Sequence, residues 1–156
     1  MIKVLFVCLG NICRSPLAEA VFNQKVKEKG LKNEISSDSA GTANYHVGHA
    51  PDHRSVEVAA KHSIPIQHEG RQYQLQDASE FDYILAMDDQ NFRDIIHISG
   101  DKPEGLFKMR DFDTVNKGDN VPDPYYGGRD GFDHVFEMLD RSSDKLLDFI
   151  IEKHNL

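Results

Sequence analysis

Cysteine is scarce in this chain. Of 156 residues only Cys8 and Cys13 are cysteines, and both lie in the opening stretch. A secreted scaffold held by disulfides carries more of them, spread along its length. Basic residues are also in deficit: 18 Lys and Arg stand against 26 Asp and Glu, a formal net charge of −8. That argues against a general nucleic-acid binder, which needs a basic footprint. It leaves room for one local anion site, because a loop of backbone N–H groups binds anions on an acidic protein. No apolar run is long enough for a transmembrane helix, and "MIKVLFV" is too short for a signal peptide. No repeat, low-complexity tract or linker interrupts the chain. The expectation is a cytoplasmic protein folded as one domain over residues 1–156, long enough to bury a proper core.

What is present alternates between strand and helix. Ile2–Val7 is apolar apart from Lys3 and mostly β-branched or aromatic, as suits a strand buried on both faces. After a short loop, Ser15 fits an N-cap and Pro16 the first helical position. Leu17, Ala18, Val21, Phe22 and Val26 then recur at helical spacing until Gly30. A weaker strand is expected over Glu34–Ala40, a long loop over Gly41–Pro51, and a short helix capped by Asp52. "FDYILAM" reads as a strand, Asp88 as the cap of the next helix, and "GLFKMRDF" as a fourth, shorter strand. Residues Asn116–Gly131 are dense in Gly, Pro and Asp and read as a long loop. Phe132, Val135, Phe136, Leu139, Leu146, Leu147 and Ile150 mark one face of a last helix. The fold class is therefore α/β, with a central four-stranded parallel sheet flanked by helices on both faces. Ligands bind such sheets beyond the carboxyl ends of the strands, where Cys8 falls.

The loop "CLGNICRS" has the makings of an oxyanion cradle. Residues Leu9, Gly10, Asn11, Ile12, Cys13 and Arg14 can turn their N–H groups toward one centre, and Gly10 and Asn11 tolerate positive φ. The loop feeds a helix N-terminus, which favours negative charge. Arg14 adds a planar fork able to grip two phosphate oxygens. The same field favours a thiolate at Cys8, and Ser15 can offer it a hydroxyl hydrogen bond. A lone cysteine at a strand end would read as a small core hydrophobe. Five residues between Cys8 and Arg14, flanked by strand and helix, favour a nucleophile.

These residues resemble the phosphate loop of the low-molecular-weight protein tyrosine phosphatases. The similarity extends to "DSAG", "FDYILAMD" and "DPYYGG", and so over nearly the whole chain. Cys-x5-Arg alone is shared by unrelated phosphatases; its place near the N-terminus with a late Asp-Pro-Tyr-Tyr is more specific. The resemblance implies hydrolysis of phosphotyrosine through a phosphocysteine, with Cys8 as nucleophile, Arg14 as phosphate clamp and no metal or other cofactor. It selects Asp123 as general acid. An apolar, aromatic surround would keep that carboxyl protonated, although Asp-Pro starts a turn equally well. It further implies that Asn11, Ser39 and His68 brace the loop. His68 by itself reads as a surface histidine. Tyr45, Tyr125 and Tyr126 would line the pocket with Leu9 and Ile12, core packing being the other reading of Tyr126. Equivalent tyrosines are phosphorylated in some members, which would make a tyrosine kinase acting on Tyr125 or Tyr126 a partner beside the phosphotyrosine protein substrate. Cys13 would either form a reversible disulfide with Cys8, sparing it irreversible oxidation, or be a buried thiol.

Other readings are weaker. His46, His49 and His53 lie close in sequence, but Pro51 breaks any helix that would align them as metal ligands. A thiol-dependent arsenate reductase shares this kind of loop, yet needs further cysteines, and none follows Cys13. A non-catalytic phosphotyrosine-binding module would need Arg14 but neither Cys8 nor Asp123.

Overall fold

A computed structural model describes residues 1–156, apart from the side chain of Arg129. The first strand, β1, runs from Ile2 to Cys8. Its residues Val4, Leu5, Phe6 and Val7 are fully buried. Alternation sends Val4, Phe6 and Cys8 into one core layer and Leu5 and Val7 into the other. A strand apolar on both faces can only be satisfied by helices above and below, and that is the architecture found.

The order is β1, α1 (Arg14–Glu28), β2 (Ile35–Gly41), α2 (His53–Lys61), α3 (Asp77–Glu80), β3 (Tyr83–Ala86), α4 (Asp89–Ser99), β4 (Leu106–Lys108), a 3-10 turn (Met109–Phe112) and α5 (Arg129–His154). The four strands form one sheet in the order β2-β1-β3-β4, all pairs parallel. The chain leaves β1 on one side to make β2 and returns on the other to make β3. The carboxyl end of β1 is therefore the switch point, where the neighbouring connections diverge and leave a crevice.

Helices α1, α2 and α5 cover the Phe6 face. There Phe6 and Phe22 meet with ring centroids 5.5 Å apart, and Lys25 on α1 bridges Asp140 and Asp144 on α5, 2.8 Å from each. On the other face Ile95 of α4 packs with Val7, Ile84 and Leu106. Asp52 and Asp88 cap α2 and α4, accepting from the N–H groups of Arg54 and Asn91. The fourth strand is shorter than "GLFKMRDF" suggests, because the chain tightens into the 3-10 turn at Met109. The cap expected at Ser15 is not there. Helix α1 already begins at Arg14, and Cys13 stands at its cap position without a side-chain bond. The Ser15 hydroxyl is used elsewhere.

Candidate active site

The loop from Cys8 to Arg14 closes over the end of β1. Asn11 takes the left-handed conformation at φ 58°, which turns its N–H onto Cys8 Sγ at 3.3 Å. Gly10 does not share that conformation, so Asn11 alone supplies the positive φ expected of the pair. Close packing makes Gly41 necessary: a Cβ there would meet the carbonyl oxygen of Leu9 at 2.7 Å. The end of β2 thus lies against the loop and holds it, with Thr42 N–H donating to Cys8 O and Ala43 N–H to Leu9 O.

The Asn11 side chain is saturated. Its Nδ2 donates to Ser15 Oγ at 2.8 Å and to Ser39 Oγ at 3.0 Å, while Oδ1 accepts from Arg71 N–H at 3.0 Å and from His68 Nε2 at 2.7 Å. Ser15 Oγ accepts from Asn11 and has one hydrogen to give, with Cys8 Sγ 3.1 Å away and Ala40 O 3.4 Å away as its acceptors. Parallel pairing of β1 with β2 sets Phe6 against Ser39, which carries Ser39 to the underside of the loop. A left-handed residue under a strained loop persists only where its surroundings over-determine it, and four bonds to one amide do so. The structure brings Asn11, Ser15, Ser39 and His68 together.

Two carboxylates face Arg14, whose side chain is 3% exposed. Nη1 donates to Asp88 Oδ2 at 2.7 Å and to Val121 O at 3.0 Å, and Nη2 lies 3.5 Å from Asp123 Oδ2. Arg14 Nε is buried with no protein partner. Burial works against its charge, but the Cys8 sulfur, Asp88 and Asp123 outweigh it and raise its pKa. Asp88 joins the site through Arg14, whereas the sequence showed it only as a helix cap. Oδ1 makes that cap with Asn91 N–H at 2.8 Å, and Oδ2 holds Arg14.

Above Cys8 lies a cavity of about 250 Å³ lined by Leu9, Gly10, Ile12, Cys13, Arg14, Tyr45, His46, Asp123, Tyr125 and Tyr126. A roomier cleft of about 600 Å³ between α1 and α5 contains Lys25, His62, Phe136 and Arg141 but no thiol. Tyr126 is 91% exposed, which removes core packing as its role. The apolar enclosure expected of Asp123 is only partial, since its side chain is 36% exposed and looks toward a guanidinium. Burial, with Asp52 adding to it, pushes the Cys13 thiol up to about 12, and both cysteines are free. His46 and His49 meet through ring nitrogens 3.2 Å apart, whereas His53 opens α2 and faces Asp52.

Glu19 was not legible as a site residue. It accepts from Ser39 Oγ at 2.7 Å and lies 3.4 Å from His68 Nδ1. Burial pushes its carboxyl from 4.5 up to about 7 against the pull of the Ser39 bond, and burial moves His68 down. Because Asn11 Oδ1 is already an acceptor, His68 must carry a proton on Nε2, and Nδ1 faces Glu19. Between pH 4.5 and about 7 the folded chain holds a proton on Glu19 that the unfolded chain has lost. The stability this group contributes is full below that window and is lost as pH rises through about 7. Glu19→Gln keeps the acceptor for Ser39 and removes the buried charge. It should raise stability at pH 8 by about 1–3 kcal/mol and flatten the urea midpoint between pH 5 and 8.

A thiol beneath hydrogen-bond donors, beside a buried arginine and opposite a carboxylate, at the switch point of a parallel sheet, defines a site for a tetrahedral oxyanion. The family model for low molecular weight phosphotyrosine protein phosphatase matches residues 3–156. The chain is 44% identical over 151 residues to the low molecular weight phosphotyrosine protein phosphatase of Schizosaccharomyces pombe, covering 93% of this chain and 95% of that one. It is 41% identical over 157 residues to the low molecular weight protein-tyrosine-phosphatase PtpA of Staphylococcus epidermidis, covering 100% and 98%. Among solved structures, a protein tyrosine phosphatase from Entamoeba histolytica matches over 100% of both chains, with TM-score 0.93 and 39% identity. A Drosophila arginine phosphatase matches over 96% of this chain and 98% of its own, with TM-score 0.89 and 31% identity. The chain belongs to the low molecular weight phosphotyrosine protein phosphatase family and is a protein-tyrosine-phosphatase.

Proposed function

We propose that the chain hydrolyses aryl phosphate monoesters, phosphotyrosine in protein substrates above all, through a phosphocysteine formed on Cys8. The observation that carries this reading is the placement of Cys8 Sγ at the floor of the cavity, with Ser15 Oγ and Asn11 N–H aimed at it and Arg14 beside Asp123. In the first step the sulfur attacks phosphorus in line. The S–P bond forms as the P–O bond to the phenol breaks, and Asp123 gives its proton to the departing oxygen. In the second, water attacks phosphorus, Asp123 takes back a proton, and the S–P bond breaks to release phosphate. Ser15 stabilises the departing thiolate. Arg14 and the loop amides carry the charge on the equatorial oxygens through both steps.

Leu9, Ile12, Tyr45, Tyr125 and Tyr126 supply a flat, largely apolar wall that suits an aromatic ring. The test is phosphate release from phosphotyrosine with excess chelator, run beside phosphoarginine because one structural relative is named an arginine phosphatase. Turnover of phosphotyrosine undiminished by chelator and well above that of phosphoarginine is expected. Loss of activity in chelator, or preference for phosphoarginine, overturns the reading. Arg14→Lys should lower kcat about 10²–10³-fold, the scale for removing a preorganised donor to a developing oxyanion, because one ammonium nitrogen lacks the planar fork by which Nη1 holds Asp88 and Val121 O while Nε and Nη2 remain for phosphate. Steady-state kinetics alongside circular dichroism checks it.

Tyr126 at 91% exposure and Tyr125 at 39% are open to a tyrosine kinase, which we include as a proposed partner. Among the described residues no helix is long and apolar enough to cross a membrane.

A further inference from the structure

We propose that Arg54, on α2 and outside the phosphate loop, is a positioning residue that clamps the acid-bearing segment 123–126 over the cavity. The proposal rests on the reading of Asp123 as general acid.

Helix α2 is fastened to the phosphate loop at its first turn. Asp52 N–H donates to Ile12 O at 2.8 Å, and Ser55 Oγ donates to Cys13 O at 3.1 Å. The Asp52 carboxylate then takes three bonds from Arg54: the backbone N–H at 2.9 Å, Nε at 3.0 Å and Nη2 at 2.9 Å. A two-pronged bond of this kind fixes the plane of the guanidinium, not merely its charge. Held in that plane, the Arg54 guanidinium carbon lies 4.7 Å from the Phe132 ring centroid and 5.5 Å from that of Tyr125. Phe132 is 2% exposed at the start of α5 and belongs to the core. Tyr125 is on the acid segment, and its N–H donates to Asp123 Oδ1 at 3.0 Å.

The links form one path: Ile12 carbonyl, Asp52, Arg54, the Tyr125 ring, the Tyr125 amide, the Asp123 carboxylate. It joins the loop that holds the phosphoryl group to the acid that must meet its leaving oxygen. Among the described residues the other ring contact of Tyr125 is the edge of Tyr126, 4.9 Å away, and Tyr126 is 91% exposed. That contact offers no anchor to the body of the protein, whereas Arg54 is tied through Asp52 to the phosphate loop and lies against Phe132. Without the guanidinium, the acid segment lacks this tie, while the phosphate loop keeps its Asn11, Ser15 and Ser39 bonds. Catalysis should then weaken chiefly where a proton must be delivered.

Arg54→Met keeps apolar bulk between the two rings, and Arg54→Lys keeps a cation there without the fork. Both are assayed with phenyl phosphate, whose leaving group needs a proton, and with p-nitrophenyl phosphate, whose leaving group needs it far less. Inhibition by vanadate reports on the phosphate loop. In Arg54→Met, kcat for phenyl phosphate should fall about tenfold, against no more than about twofold for p-nitrophenyl phosphate, since small misplacement of a reacting group carries penalties of this size. Vanadate inhibition should stay within about twofold of the parent, and Arg54→Lys should recover part of the loss. Equal losses on both substrates, a proportional loss of vanadate inhibition, or no loss at all would overturn the clamp. Asp123→Ala in the same assays separates the two ideas. If it shows no dependence on leaving group, the general-acid reading falls and the clamp falls with it; if it shows the dependence and Arg54→Met does not, only the clamp falls. Combining the two substitutions should add no further dependence on leaving group, because both act through one proton transfer.

Discussion

Exchange of Cys8 for serine is expected to stop turnover and to leave inorganic phosphate bound about as well as before. The sulfur lies at the floor of the cavity, 3.1 Å from Ser15 Oγ and 3.3 Å from Asn11 N–H. Those donors suit a thiolate. Among the described residues no carboxylate or imidazole is bonded to the sulfur, so a serine hydroxyl in the same place has no base beside it to take its proton. The attacking group would be a neutral alcohol, and a loss of at least about 10⁴-fold in kcat is expected, on the scale of removing a covalent nucleophile. The proposed phosphate clamp is built from other atoms. Arg14, held by Asp88 and Val121 O, does not depend on the sulfur for its position. Phosphate affinity, read by calorimetry, should therefore change by no more than about tenfold. Acid quench of the parent during turnover should trap phosphate on residue 8 and not on residue 13. Burial pushes the Cys13 thiol up to about 12, so it is protonated at neutral pH and a poor nucleophile. Phosphate found on Cys13, or appreciable turnover by Cys8→Ser, would remove the nucleophile from the mechanism.

The sequence made the floor of this site more legible than its walls. β1 declared itself because both faces are buried, and a run of apolar residues is what such a strand must be. Cys8 and Arg14 followed from their spacing between that strand and α1. Ser15 shows where local rules yield to tertiary ones. Its position invites a helix cap, but Asn11 and Cys8 claim the hydroxyl, and the helix begins at Arg14, two residues ahead of Pro16, without it. Asp88 was visible as a cap and not as the partner of Arg14, because a sequence does not show that one carboxylate serves two donors from different elements.

Ser39 and His68 reached the site through resemblance to a family, and the geometry explains why local patterns could not have found them. Ser39 arrives by strand register, set opposite Phe6, and His68 comes from an irregular segment between α2 and α3. Glu19 was missed altogether. On an amphipathic helix a glutamate reads as part of the wet face, yet here it is largely buried and receives the Ser39 hydroxyl. Arg54 was missed for a related reason: its significance lies in the plane in which Asp52 holds it, and the two rings it faces lie more than seventy positions downstream.

Replacement of Asp123 by alanine should slow the enzyme in proportion to how much each leaving group needs a proton. The carboxylate faces Arg14 Nη2 at 3.5 Å across the cavity mouth and is 36% exposed. Tyr125 N–H holds Oδ1 at 3.0 Å, which leaves Oδ2 on the side of Arg14. In the proposed mechanism this carboxyl is the proton carrier, and it stands beside the arginine proposed to grip the phosphoryl oxygens. General acid catalysis is worth about 10²–10⁴-fold, so phenyl phosphate and phosphotyrosine should lose that much in kcat. p-Nitrophenolate leaves readily without protonation, and its ester should lose at least about tenfold less. The two esters make the same contacts with the phosphate loop, so a defect in binding or folding would slow both alike. The contrast therefore isolates the proton. Asp123→Asn sharpens it: the amide preserves size and the acceptor for Tyr125 N–H but carries no acidic hydrogen, and it should behave like alanine with phenyl phosphate. If both esters slowed equally, Asp123 would be a structural partner of Arg14 and the leaving oxygen would have to take its proton from water.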